Sequence, residues 1–231
     1  MPQLLKLNKP HALSHCPAAV RALRLTRIKL IMQALKLAVV TTLMLFSCLA
    51  AAVDDSAAKA VVEKLHESLL MAMRGGAQLG LKGREEMLAP VIENSFDFES
   101  ICRIVTGRYW KSAGDEQKSR FTAAFKQLSV ATYASNFSSF SGEKFQTEGS
   151  EADHEALIVR TTLRPATGEP VTLNYLLRHG NDGWRIMNVV AQGVSDLSLK
   201  RADYTAVIKR EGFDSLINRL EKKTDEMSKG S

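Results

Sequence analysis

The feature that most constrains this chain is a change of hydrophobic period. Up to about residue 136 the apolar side chains recur at helical spacing; from about Lys144 to Gln192 they alternate; beyond Asp196 the helical spacing returns. Val62, Leu65, Leu69 and Met73 form one helical stripe, and Phe121, Ala124, Phe125, Leu128 and Thr132 another. A period of two in the middle then demands strands. The segment "HEALIVRTTLR" puts Leu157, Val159, Thr161 and Leu163 on one face, and "EPVTLNYLLRHG" does the same with Val171, Leu173, Tyr175 and Leu177. In "GWRIMNVVAQ", strict alternation groups Trp184, Ile186, Asn188 and Val190. The connectors "PATGEP" and "GNDG" carry turn chemistry, and a weaker strand, "EKFQTEG", comes first. Helices on either side of an antiparallel meander of about four strands give an α+β fold, with helices packed on a curved sheet.

Punctuation supports this division. Gly75, Gly76, Gly80 and Gly83 interrupt the first helical pattern, and a short helical stretch with Met87, Leu88, Val91 and Ile92 follows. Asp115 and Glu116 open the longer helix, where carboxylates favour the N-terminal dipole. Phe213, Leu216, Ile217 and Leu220 mark a last helix just after Gly212. The glycine stretch at 75–83 and the "SSFSG" loop are the expected flexible points.

Charge separates the chain into two parts. The whole sequence carries +6. Seven of its 31 Lys and Arg precede residue 53, with no Asp or Glu among them, so 24 basic side chains face 25 acidic ones in the remainder. That remainder has a net charge of −1 and no electrostatic footprint for nucleic acid. The basic segment reads as an export signal. Arginines and lysines precede the apolar run "LAVVTTLMLFSCLAAA", and Ala50-Ala51-Ala52 fits a small-residue cleavage rule. We expect cleavage after Ala52, a translation start at Met32 rather than Met1, and a single domain over residues 53–231. The exported domain then keeps Cys102 alone, so no internal disulfide is available to it.

The chemistry-bearing residues are sparse. There is no phosphate-binding glycine loop, no CxxC and no HExxH. His66, His154 and His179 lie far apart in sequence without metal-ligand spacing, and read as surface or edge residues. The densest stretch is "FDFESICRIVTGRYW", Phe96 to Trp110. Cys102 there is a nucleophile only in name, because Phe98, Ile101 and Val105 surround it at helical spacing and an apolar setting leaves a thiol inert. Arg103 and Arg108 are candidates to meet an anionic headgroup or to pair with Asp97 and Glu99. No catalytic residue, metal or cofactor is expected.

The same stretch resembles the signature of the MlaC-type (toluene-tolerance) family of periplasmic phospholipid-binding proteins, through Phe96, Asp97, Phe98, Arg103, Gly107 and Trp110. The resemblance continues in the next helix through Glu116, Gln117, Arg120, Phe121, Phe125, Leu128, Thr132 and Tyr133. It extends to Trp184, Gly193, Val194 and Ser195 at the end of the strands, and to Arg201, Ile208, Gly212, Leu216, Ile217 and Leu220 in the closing helices. Asn188 departs from the acidic residue the family often carries there. The wording "VVAQGVSDLSLKRADY" is closer to the hopanoid-associated (HpnM-type) branch.

The resemblance implies a lipid cavity between sheet and helices, in an NTF2-related fold. Its expected wall is Phe98, Ile101, Val105, Tyr109, Trp110, Phe121, Phe125, Leu128, Leu173, Tyr175, Ile186 and Val190, with Arg103 and Arg108 near a headgroup. The ligand would be a phospholipid or a hopanoid-like lipid, carried across the periplasm between membrane-bound transport complexes. Exposing a hydrocarbon chain to water costs about 0.8 kcal/mol per CH₂, so a carrier must enclose it and needs no reactive group. Two other readings fit the same fold. One is an NTF2-like enzyme using Asp97, His154 or His179 as acid and base. The other is a lipid-free adaptor of an export complex, with a filled core and a large exposed apolar patch.

Overall fold

The computed structural model describes residues 55–229. The export segment expected at residues 1–52, with its start at Met32 and its cleavage after Ala52, lies outside them. The order of elements follows the changes of period. Helices α1 (Asp55–Ser95), α2 (Phe98–Thr106), α3 (Tyr109–Ser112) and α4 (Asp115–Asn136) come first. Strands β1 (Lys144–Asp153), β2 (Ala156–Arg164), β3 (Val171–Gly180), β4 (Gly183–Ala191) and β5 (Val194–Ser195) form the sheet, and α5 (Asp196–Glu211) and α6 (Phe213–Lys229) close the domain.

The sheet is an antiparallel meander in the order β1-β2-β3-β4-β5, one strand more than the four expected. The addition is the two-residue β5, which pairs Val194 with Ala191 and Ser195 with Val190. Its turn is Gln192-Gly193, both at positive φ (50° and 80°), the backbone of a tight two-residue hairpin. Gln192 holds this unfavourable conformation through its neighbours. Its amide donates to the Thr172 carbonyl at 3.0 Å, and its Oε1 accepts from the Thr172 hydroxyl at 2.8 Å.

The strand register corrects one expectation. Leu173 pairs with Ala191 and Tyr175 with Val189, but Leu177 pairs with Ile186, so Met187 is an extra residue opposite the Leu176–Leu177 step. One inserted residue reverses the parity of a strand. Trp184 and Ile186 therefore share a face with Val189 and Ala191, not with Asn188 and Val190. The same bulge buries both Ile186 and Met187, which a regular strand would point to opposite sides.

The glycine-rich stretch bends α1 rather than ending it. Gly76 (φ 44°, ψ −128°) and Gly80 (φ 60°, ψ −177°) leave the helical region, and helical geometry resumes on the far side. Arg84 is buried next to this kink. Its Nε donates to the Ala134 carbonyl at 2.8 Å and its Nη1 to the Gly76 carbonyl at 2.7 Å. The guanidinium thus satisfies the carbonyl released by the kink together with one near the C-terminus of α4, where a cation also meets the negative end of the helix dipole.

One hydrophobic core joins the helices to the sheet. Phe121, Phe125, Phe98, Tyr204 and Phe213 form its aromatic centre, with the Phe121 and Tyr204 rings perpendicular at 6.2 Å. The first half of α1 lies on the β1–β2 end, where the His66 ring stacks on Phe145 at 3.9 Å. At the other end of α1, the Asp97 amide donates to the Ile186 carbonyl at 3.0 Å. The Asp97 carboxylate caps α2 by accepting from the Ser100 amide, also at 3.0 Å.

Candidate functional site: a cavity between sheet and helices

The fold leaves a gap where α4 and α5 approach the sheet. It is a cavity of about 460 Å³, inside the range of roughly 300–1,000 Å³ usual for ligand pockets. Helix α4 contributes Phe125, Leu128, Thr132 and Tyr133; the sheet contributes Leu173, Tyr175 and Val189; α5 contributes Leu199 and Tyr204. The cross-strand pairs explain the sheet side. Tyr175 and Val189 are direct partners, and the Met187 bulge is what brings Val189 rather than Val190 to this face.

Charge is confined to a few residues of the wall. Asp196 and Asp203 from α5 line the cavity together with Lys200 and Lys223, two of each sign. Lys200 is paired with Asp196 one helical turn earlier. The wall can therefore enclose an elongated apolar group and meet a polar end with both signs of charge.

Buried polar groups accompany the apolar lining. His66 Nε2 lies 2.9 Å from the Tyr175 hydroxyl. Burial pulls the His66 pKa down to about 4, so the ring is neutral at neutral pH. Burial likewise raises the phenols of Tyr133, Tyr175 and Tyr204, with the nearby Asp196 carboxylate adding to the rise at Tyr133 and Tyr204. All three stay protonated as hydrogen-bond donors.

Of the wall residues expected from sequence, the structure brings Phe125, Leu128, Leu173 and Tyr175 to the cavity. Phe98, Ile101, Val105, Phe121 and Ile186 sit in the hydrophobic core, and Tyr109 and Trp110 pack against it half-buried. The Trp110 indole meets the Phe121 ring edge-on at 6.4 Å. Val190 pairs with Asn174, whose other partner is the exposed Arg160, on the reverse face of the sheet.

Neither candidate headgroup arginine lines the cavity. Arg103 pairs with Glu99 across one exposed helical turn at 2.7 Å. Arg108 stacks over the Tyr109 ring and lines a separate groove with Arg201 and Lys209. Sequence reasoning passed over Tyr133, Val189, Leu199, Tyr204, Lys200 and Lys223. The α4 and α5 residues among them carry a signal, since Leu128, Thr132 and Tyr133 are helical neighbours, as are Leu199, Lys200 and Tyr204.

The residues expected of an enzyme do not assemble in this cavity. Asp97 is an N-cap. His154 stands at the β1–β2 turn beside Asp153, almost fully exposed, and His179 is exposed against Trp184. The buried histidine is His66, a correction to its reading as a surface or edge residue, and its partner is a phenol rather than a carboxylate. Cys102 is fully enclosed, and burial pushes its thiol up to about 12. Among the described residues no cluster of three metal-ligating side chains occurs.

An α+β domain with an apolar cavity between its sheet and its helices has room for an elongated apolar group. The chain belongs to the MlaC protein family, whose model matches residues 63–222. A relative from Haemophilus influenzae, the intermembrane phospholipid transport system binding protein MlaC, is 29% identical over 122 residues. That alignment covers 51% of this chain and 57% of the relative, so the match spans little more than half of the curated protein. A phospholipid-binding protein from Ralstonia solanacearum, solved in complex with a phospholipid, superposes with a TM-score of 0.65 at 24% identity. The superposition covers 73% of this chain and 97% of that one, and establishes the shared fold.

Proposed function

We propose that this protein is a periplasmic phospholipid carrier, which holds the lipid's acyl part in the cavity between sheet and helices and passes it between membrane-bound transport complexes. The observation that carries the reading is the cavity of about 460 Å³ itself, apolar along α4, α5 and the sheet and charged only at Asp196, Lys200, Asp203 and Lys223. Enclosure is what an acyl chain requires in water, at about 0.8 kcal/mol for each CH₂ that would otherwise be exposed. Membership of the MlaC family and the names of both relatives support phospholipid as the ligand. The hopanoid-like alternative draws on sequence wording alone. Lys200 and Lys223 take the place of Arg103 and Arg108 as the cations beside the headgroup.

The role is non-catalytic. A neutral His66 held by a phenol supplies neither the acid nor the carboxylate-oriented base of the enzyme reading. The adaptor reading asked for a filled core, and the cavity speaks against it. Organic extraction of the purified protein followed by mass spectrometry tests the proposal. We expect bound phospholipid; no lipid in the extract and none taken up from liposomes would sink it.

A further inference from the structure

Three tyrosines line the cavity, and only one of them has a partner for its hydroxyl. Tyr175 meets His66 Nε2 at 2.9 Å. Tyr133 and Tyr204 line the same cavity without a hydrogen-bond partner for the hydroxyl among the described residues. Neither oxygen is sealed inside protein, since the one fully enclosed side-chain oxygen without a partner among the described residues is Glu85 Oε1. Both therefore open onto the cavity. Tyr204 is 6% exposed, so its phenol has left bulk water without gaining a protein acceptor. Such a group is costly unless something else supplies the acceptor.

Two further facts narrow what that acceptor is. Asp196 stands close enough to both phenols to perturb them, yet it is taken by Lys200 and accepts from neither. The two hydroxyls thus lie beside the charged part of the wall rather than at a remote apolar end. The ligand atom they meet is an acceptor close to the headgroup and already within the cavity, and the Asp196 carboxylate beside both phenols favours an uncharged one. In a glycerolipid that description fits the carbonyl oxygens of the ester linkages. A bare hydrocarbon skeleton or an ether-linked chain has no carbonyl to offer there.

We infer that Tyr133 and Tyr204 form an ester-recognition subsite, donating hydrogen bonds to the acyl-ester carbonyls of the lipid in the cavity. This rests on the carrier reading above and adds to it the linkage chemistry of the ligand. The ring packing is independent of the hydroxyls: Tyr204 stands edge-on to Phe121 and Phe125, and Tyr133 stacks on Phe137. Replacement by phenylalanine then removes the donor and keeps the ring.

The test offers delipidated full-chain protein vesicles containing equal amounts of diester and diether phosphatidylcholine of the same chain length. Lipid recovered with the protein is quantified by mass spectrometry. We expect the diester form to be enriched about thirtyfold, the ratio that about 2 kcal/mol for two net hydrogen bonds gives. In the Tyr133→Phe/Tyr204→Phe double variant the ratio should fall to about one, through loss of the diester form. Equal recovery of the two lipids by the unaltered protein, or enrichment that survives in the double variant, overturns the ester subsite and leaves the carrier reading standing. Recovery of neither lipid by the unaltered protein overturns the carrier reading itself.

Discussion

His66 and Tyr175, from the first helix and the third strand, meet with the imidazole Nε2 2.9 Å from the phenol oxygen. The contact ties α1 to the strand that lines the cavity, and it does so with a neutral histidine. Burial is what keeps the ring neutral, and burial gives the pair a pH dependence with a definite sign.

In the unfolded chain His66 titrates near 6.5, in the folded protein near 4. Between those values the unfolded state binds more protons, so stability rises with pH across the window. This contribution is complete above about pH 6.5 and is lost as the pH falls to about 4. The loss should amount to about 3 kcal/mol. Urea midpoints measured from pH 4 to pH 7 should show that slope, and His66→Phe should flatten much of it. An unchanged slope in the variant would assign the acid sensitivity to other groups.

Arg84 bridges the Gly76 and Ala134 carbonyls from a buried position. Arg84→Met strands both acceptors and should cost about 3 kcal/mol, the scale of two hydrogen bonds from a charged donor in a buried site. Arg84→Lys should recover less than half of that, because one ammonium cannot match the two-pronged geometry. Denaturant unfolding with an unchanged m-value would report the loss; a midpoint within error of the unaltered protein would contradict it.

The Met187 bulge predicts different outcomes for two adjacent valines. Val189→Trp should fill the cavity and abolish lipid recovery, while Val190→Trp, on the reverse face, should leave most of the bound lipid in place. Equal loss in both variants, each confirmed folded by circular dichroism, would mean that the strand keeps regular parity.

Cys102 is enclosed and its thiol is pushed up to about 12. In a chain with Cys16 and Cys48 replaced by serine, a thiol reagent at pH 8 should label Cys102 only as fast as the protein unfolds. Cys102→Ser should lower stability by about 1–3 kcal/mol through a buried hydroxyl, and leave lipid carriage intact. Fast labelling in the folded state would show an accessible thiol.

Much of this was legible before the structure. The helix–meander–helix order followed from apolar spacing alone. So did the faces Leu157-Val159-Thr161-Leu163 and Val171-Leu173-Tyr175-Leu177, which pair across β2 and β3 in the structure. Cys102 was legible as an inert thiol because its apolar neighbours are a helical turn away. The cavity was legible less well, because helical or alternating spacing shows that a face is apolar but not whether that face meets core or open space. Phe98, Ile101 and Phe121 are as apolar as Phe125 and Leu128, and all five belong to the core, yet of these only Phe125 and Leu128 also border the cavity.

Local spacing was thus enough for element type and for the apolar face of each regular element. Each depends on residues within a turn or two of one another. The parity of β4, the partner of His66 and the role of Arg84 depend on residues distant in sequence. Met187 is one apolar residue among several in "RIMNVV", and nothing in that run marks it as the extra one; pairing with β3 does. Arg84 finds its second acceptor 50 residues away, and His66 its phenol 109 residues away. Such contacts form only when packing brings the elements together, because desolvation and hydrogen bonding act on distances in space and leave no periodic trace along the chain.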